Sequence, residues 1–418
     1  MSDITLSAPL KSLERLIVGA FAEVESWLRS AFTENTAPFY SSVDLRNNGG
    51  KIAPIDTNLF PGGFNNLPMH CHPLAANLLS QRMESLCPTM KSVLLIPESH
   101  TRNLAYLDNV ATLKLLLESA GIQVCLGRLD GAQLNLTSAS GAALEMCPIE
   151  RNEGRLRCGD FYPCAVLLNN DLSTGVPPLL RDLEIPTMPS VQMGWATRRK
   201  SSHFHHYRRA AEQLATLLGA DPYLLCADFS VCPKVDFHQR EGMECLATAV
   251  DETLKQILQK YREHDIDDKP FVVLKAKRGT YGMGVMTVDS AAAVLSLNRR
   301  QRNKMAVGKE GAPITDVLIQ EGVQTAEKVG GSAAEPVVYM IDGTVTGGFY
   351  RVNQNRANNE NLNSRGMSFA PFPVSCSPPI VAPPDNDTAG RLYVYGVIAR
   401  LAALAAARKS AAAETPDK

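Results

Sequence analysis

Among its ten cysteines the chain has no CxxC pair, and it has no excess of either charge and no internal repeat. Without ligand pairs at zinc spacing, and in a chain too long for a disulfide scaffold, reduced thiols are expected. Met69-His70-Cys71-His72-Pro73 therefore reads as a structural or substrate-facing turn, not half a zinc site. With 42 Lys and Arg against 43 Asp and Glu, there is no basic surplus of the kind nucleic acid requires. No stretch approaches the ~20 apolar residues of a membrane span, and no basic segment followed by an apolar one opens the chain. A cytoplasmic protein without membrane contact is expected.

What is present is an ordinary globular composition, 45% apolar and 20% charged, over 418 residues. That length exceeds one usual core, so two or three domains are expected. Apolar residues from Leu10 to Phe32 recur at helical spacing and predict one long amphipathic helix. From Ser92 the pattern reads strand (Val93 to Ile96), helix (Leu104 to Ala120, closed by Gly121), strand (Ile122 to Leu126), hairpin region (131–156) and strand (Ala165 to Leu168). Such a β-α-β order implies a parallel sheet. Ligands gather at the carboxyl ends of such strands, which makes Glu98, Arg102 and Asn170 substrate-site candidates; loop capping is the competing role.

Farther on, Ser201 or Ser202 is expected to cap a helix that Gly219 stops, and Leu246 to Tyr261 forms another. A polar helical stretch runs to Lys309. Val317 to Gln320 reads as a strand, Val337 to Ile341 and Thr344 to Tyr350 as a hairpin turned at Asp342-Gly343, and 390–408 as an alanine-rich helix.

The most informative segment is FVVLKAKRGTYGMGVMTV, Phe271 to Val288. A lysine-bearing apolar strand enters a glycine-rich turn and leaves as a second strand. Glycines let backbone N–H groups approach phosphate oxygens while a lysine adds charge, yet the P-loop and the dinucleotide fingerprint both continue into a helix that is missing here. Either this is a phosphate-covering hairpin or a plain hairpin turn.

A second segment, DLRNNGGKIAPIDTNLFPGG at 44–63, puts Asp56 and Asn58 on one face of a strand. Asp44, on the partner strand of a hairpin turned at Asn48-Gly49-Gly50, could join them. Three oxygen donors of this kind suit magnesium completed by water and phosphate; an Asx-rich loop satisfying its own backbone is the alternative.

Taken in order, Lys275 with its glycine hairpin, LIQEGV at 318–323, PVVYMIDGTVTGGFY at 336–350, Arg351 and NLNSRG at 361–366 resemble the core of ATP-grasp ligases. That pattern normally ends in two acids and an asparagine, which nothing after Gly366 supplies. Asp44, Asp56 and Asn58 match it at the front of the chain, with Asp56 where the pattern has glutamate. The fold class expected is therefore α/β: an ATP-grasp-like core, circularly permuted, with a parallel-sheet domain before it. FYSSVDLRNNGGKIAPIDTNLFPGGFNNL, VLKAKRGTYGMGV and YRVNQNRANNENLNSRGMSFAP further resemble the proteobacterial glutamate-cysteine ligase family, a likeness spanning 10–408.

That resemblance implies an ATP- and Mg2+-dependent carboxylate-amine ligase that makes gamma-glutamylcysteine from L-glutamate and L-cysteine through an acyl phosphate. It implies nucleotide binding by Lys200, Lys275 or Lys277, by the turn residues Gly279, Thr280, Tyr281, Gly282 and Gly284, and by Gln320, Glu321 and Glu327 near adenine and ribose. Arg351 and Asn363 would face the transferred phosphate, Asp44, Asp56 and Asn58 the magnesium, and Arg46, Arg102 and Arg365 the glutamate carboxylates. The expected units are 1–90 (helix and metal strands), 91–195 (parallel sheet), 196–315 (lid) and 316–418 (C-terminal subdomain). Homo-oligomer formation stays open. The competing readings are an ATP-grasp ligase with another acceptor and a nucleotide-binding protein without catalysis.

Overall fold

A computed structural model describes residues 8–86, 88, 92–99, 102–276, 284–306, 314–372 and 382–414. The chain begins with α1 (Ala8–Gly19), α2 (Phe21–Glu34), β1 (Tyr40–Asn47), β2 (Ile52–Asn58) and α3 (His72–Leu86). The next unit contains β3 (Ser92–Pro97), α4 (Leu104–Ser119), β4 (Gln123–Arg128), β5 (Leu134–Thr137), β6 (Ala143–Pro148), β7 (Glu150–Asn152), β8 (Arg155–Arg157), β9 (Ala165–Asn169) and β10 (Thr187–Met188). Then come α5 (Lys200–Leu218), β11 (Phe229–Cys232), α6 (Met243–Glu263), β12 (Val272–Ala276), β13 (Val285–Val288), α7 (Ala291–Leu295) and α8 (Arg299–Ala306). The last elements are β14 (Val317–Glu321), β15 (Lys328–Val329), β16 (Ser332–Ile341), β17 (Thr344–Asn353), β18 (Met367–Pro371) and α9 (Asp387–Glu414).

Three larger sheets and a two-stranded β7-β8 ribbon organise these strands. One, in the order β18-β17-β16-β1-β2 with β15 beside β16, is antiparallel and joins the first strands of the chain to the last. The second, β10-β9-β3-β4-β6-β5, is parallel except at the β5-β6 hairpin. The third, β11-β14-β12-β13, is antiparallel and carries Lys275.

Period-two alternation assigns the two faces of the first sheet. Val43, Leu45, Val338 and Met340 turn to a helical layer in which Ile398, Leu401 and Leu404 of α9 are buried. Val337 and Tyr339 turn the other way, and Asp44, Arg46 and Glu335 share their strands' remaining positions. The Pro61-Gly62-Gly63 turn ties this sheet to the parallel unit: Gly63 and Phe64 donate N–H to Asn109 Oδ1 on α4 at 2.8 and 3.0 Å. At Gly63, φ is +111° and a Cβ would stand 2.8 Å from the Tyr339 hydroxyl, so only glycine fits.

Several local expectations need correction. The N-terminal helix is two helices, broken at Ala20 (φ −97°, ψ 29°), directly after Gly19, a weak helix former. Helix α5 starts one residue before Ser201, with Arg199 extended at its N-cap and no side-chain cap, so neither serine caps it. The polar stretch toward Lys309 forms two short helices, with 307–313 outside the described residues. Helix α9 is longer than expected at both ends, and by length and composition Asp387–Ser410 could cross a membrane; 78% of its apolar window is buried inside the protein, as for a core helix. Cys71 is disulfide-bonded, while the seven other described cysteines are free; spacing alone does not show which thiols a fold brings together.

The chain ends meet. Arg391 of α9 pairs with Glu14 of α1 at 3.2 Å, Arg400 with Glu25 of α2 at 2.6 Å, and the Phe21 and Tyr393 rings lie 5.2 Å apart.

Candidate active site

The β1-β2 hairpin places Asp44 directly opposite Asp56. Immediately beyond, Leu45 pairs with Pro54, which leaves Ile55 as the extra residue of a bulge. A bulged residue is released from the ladder, and the Ile55 carbonyl accepts the Lys275 ammonium at 2.8 Å. The first sheet is thereby fastened to the Lys275 sheet at the wall of a cavity of about 800 Å³, open mouth included.

Charges of both signs converge here. Lys200, the first residue of α5, contacts both Asp56 oxygens at 2.8 and 2.9 Å, and its Nζ lies 4.9 Å from the centre of the Trp195 ring. Arg351 holds both Asp44 oxygens at 3.0 and 3.3 Å and reaches Glu335 Oε1 at 2.6 Å. Arg46 donates to Glu335 Oε2 at 2.9 Å and to the carbonyls of Val323, Asn358 and Glu360 at 3.3, 3.2 and 2.5 Å. Glu335 thus bridges two buried arginines.

Burial and these partners set the ionisation. Burial pushes Asp44 up, and Glu335 adds to the rise against the pull of Arg351. At Asp56 burial also pushes upward, but Lys200, Lys275 and Arg198 outweigh it and hold the carboxyl below its ordinary value. Lys275 is lowered to about 8, by burial first and then by Lys200, with Asp56 opposing. Glu335 is lowered because Arg46 and Arg351 overcome its burial.

Of the expected site residues, Asp44, Asp56, Lys200, Lys275, Gln320, Glu321, Arg46, Arg351 and Asn363 line this cavity. Gln320 is 1% exposed and its Nε2 has no hydrogen-bond partner. The Glu321 carboxylate is engaged elsewhere: it accepts from Lys51 Nζ at 2.9 and 2.8 Å, Tyr223 hydroxyl at 2.7 Å and Asp228 N–H at 2.9 Å. Glu327 does not line the cavity; its carboxylate is buried against Asn47 and the Tyr395 hydroxyl. Asn58 follows Asp56 on the same strand face, half-buried, and is not among the lining residues.

Lys277, Gly279, Thr280, Tyr281 and Gly282 lie outside the described residues. Gly284, at the returning end of that turn, has φ +60°, and a Cβ there would meet Ile314 at 2.5 Å. Glu98 and Asn170 serve loop geometry beside β3 and β9. Glu98 accepts the Asp171 N–H at 2.9 Å, and Asn170 donates to the Pro97 carbonyl at 3.3 Å. Arg102 and Arg365 are exposed and not among the lining residues.

Two site residues escape a reading of the sequence. Glu335 is the lone acid of the strand SAAEPVVYMI and stands opposite Arg351 in the ladder; an isolated charge in an apolar strand was the available signal. Lys51, which follows the Gly49-Gly50 turn, is wholly buried with Glu321 and carried no motif. Asp44 and Asp56, opposite each other in the ladder, with Asn58 on the same face, offer hard oxygen donors of the kind a magnesium ion takes, and Arg351 and Lys200 hold the two carboxylates in place.

Two antiparallel sheets close on a cavity of lysines, arginines and acids beside a parallel sheet, and family and structural matches make the class an ATP-dependent, C–N bond-forming ligase of ATP-grasp-like architecture. A family model for glutamate-cysteine ligase matches residues 14–410, and the chain belongs to that family. It is 45% identical to a protein from Methylobacillus flagellatus KT assigned as a gamma-glutamylcysteine synthetase; the match covers 99% of this chain and 100% of that one, with a TM-score of 0.91. A D-alanyl-alanine synthetase A from Vibrio cholerae (12% identical, 68% and 74% covered, TM-score 0.33) and a glutathione synthetase-like effector from Globodera pallida (11%, 88% and 85%, 0.39) are too distant in shape to bear on the argument. Among curated proteins none matches by sequence.

Proposed function

We propose that this cavity binds ATP and magnesium and couples ATP cleavage to formation of gamma-glutamylcysteine from L-glutamate and L-cysteine. The observation that carries the reading is the opposition of Asp44 and Asp56 beneath Lys200 and Lys275. A carboxylate oxygen of glutamate takes the γ-phosphoryl group and ADP leaves. The cysteine amine then attacks the acyl carbon, phosphate departs and the amide forms. Such chemistry needs positioning and charge stabilisation, not a nucleophilic serine or cysteine of the protein.

Lys275 and Lys200 hold the α- and β-phosphates, and Lys200 leaves Asp56 as they arrive. Arg351, held flat between Asp44 and Glu335, turns its fork to the charge that develops on the transferred group; Asn363 lies beside it. Magnesium, held by Asp44, Asp56 and Asn58, would neutralise phosphate oxygens. The unpartnered Gln320 amide faces the base. Arg46 is committed to Glu335 and carbonyls, so it shapes the glutamate pocket through Glu335; Arg365 and Arg102 can reach substrate only from the rim. A metal hairpin near the front of the chain that pairs with β16, under a C-terminal helix packed on α1 and α2, supports reading this as a circularly permuted ATP-grasp core. A consumer of ATP and free cysteine belongs in the cytoplasm.

The test is ADP release with Mg2+ and ATP, supplying glutamate, cysteine, both, or both with Asp56→Ala protein. Release that needs both amino acids and is lost in the variant supports the ligase and its metal hairpin. Release unchanged in Asp56→Ala removes Asp56 from the metal site, and no release with both amino acids defeats the ligase reading for this acceptor.

A further inference from the structure

The sheet that carries Lys275 ends, at its β11 edge, in two thiols that the ligase chemistry does not use. Cys232, the last residue of β11, and Cys245, in the first turn of α6, have their sulfurs 3.6 Å apart. Both are free; Cys232 is buried and Cys245 is exposed. This is one reachable sulfur backed by one shielded sulfur, the first on a helix and the second on the sheet-edge strand it packs against.

The roles of the two are distinct. Cys232 is the donor of the S–H···S contact; burial, then this hydrogen bond, push its own pKa up to about 12. Cys245 receives that hydrogen bond at the start of a 21-residue helix.

We propose that Cys245 and Cys232 are a thiol–disulfide exchange pair whose co-reactant is a low-molecular-weight disulfide such as cystine. The Cys245 thiolate attacks one cystine sulfur; a Cys245–cysteine mixed disulfide forms and one cysteine leaves. Cys232, losing its proton to that departing thiolate, then attacks the Cys245 sulfur. The second cysteine leaves and a Cys232–Cys245 disulfide remains. In sum, two protein thiols are oxidised and one cystine is reduced to two cysteines. Cystine as co-reactant rests on cysteine being a substrate of the ligase; the readout below is chemical, so its failure is distinct from failure of the ligase reading.

Full-length protein is incubated with cysteine/cystine mixtures of increasing cystine share, quenched with an alkylating agent, digested and mapped by mass. The wild type is expected to lose two hydrogens in a linked pair of peptides, with fragment ions assigning the bridge to Cys232 and not to Cys226 on the same peptide. Cys232→Ser is expected to trap Cys245 as its mixed disulfide with cysteine, and Cys245→Ser to leave Cys232 fully alkylated. Alkylation of both wild-type thiols at every ratio, a persistent mixed disulfide in the wild type, or reaction of Cys232 in Cys245→Ser would each overturn the proposal.

Discussion

Asp44 and Asp56 stand directly opposite each other in one antiparallel ladder, yet burial and neighbouring charges move their carboxyl groups in opposite directions, Asp44 up and Asp56 down. The difference lies in their company. Asp44 shares Arg351 with a second acid, Glu335, whereas Asp56 is surrounded by the cations Lys200, Lys275 and Arg198. An acid pair of this kind holds net negative charge at neutral pH only while its cations stay in place.

That asymmetry predicts an acid limb. A carboxyl whose folded value lies below its unfolded value of 3.8 binds fewer protons folded than unfolded, so its stabilisation is present above 3.8 and is lost as pH falls through the folded value. Urea unfolding midpoints of wild type and Asp56→Asn should therefore differ at pH 7 and converge below pH 3.8. A constant gap would show that the variant acts through packing.

Lys275 predicts the opposite limb. Its folded value is about 8 against 10.5 unfolded, so burying it charged costs a few kcal/mol at pH 7, and the cost fades as pH rises from about 8 toward 10.5. Lys275→Met should be more stable than wild type at pH 7, with the gap closing by pH 10.5, while kcat/KM for ATP of the wild type falls above about pH 8. A pH-independent kcat/KM over that range would remove Lys275 from the phosphate site.

Arg351 has a structural and a catalytic task that different substitutions separate. Arg351→Ala leaves Asp44 unpaired and Glu335 with Arg46 alone, all buried, and should cost ~3–5 kcal/mol of stability. Arg351→Lys keeps a positive charge but loses the fork that spans both acids. It should lose less stability yet show turnover reduced ~10²–10³-fold, with a thermal melt and steady-state rates as the paired measurements.

The Lys51–Glu321 pair, both side chains wholly buried with Nζ 3.3 Å from the centre of the Tyr223 ring, braces the cavity strand from behind. Lys51→Met should destabilise by ~3–5 kcal/mol because Glu321 stays buried and charged. Lys51→Met with Glu321→Gln should recover much of that loss in urea titrations. Failure of the second change to restore stability would mean that Lys51 works through packing and not through its charge.

The opposition of Asp44 and Asp56 was legible because Asn48-Gly49-Gly50 announces a tight hairpin and a two-residue period fixes which side chains share a face. The bulge at Ile55 was not: it is set by which register lets the sheet meet Lys275. Glu335 was hidden for the same reason, since its partners are Arg351, 16 residues away, and Arg46, 289 residues away. Glu321 and Glu327 were legible as acids near a cavity strand, but Lys51, Asn47 and Tyr395 had claimed their carboxylates from distant segments.

Local chemistry, then, settled what the sequence alone could settle: strands where apolar residues alternate, a glycine-turned hairpin behind a lysine, an acid-bearing hairpin at the front, and long motifs that mark the family. The tertiary structure decided which charges neutralise which, because a buried ion needs a partner and the partner is whichever residue the packing brings near, however far along the chain. It likewise decided that α1 and α2 close over α9, and that two thiols from separate elements stand 3.6 Å apart, a distance that no spacing in the sequence encodes.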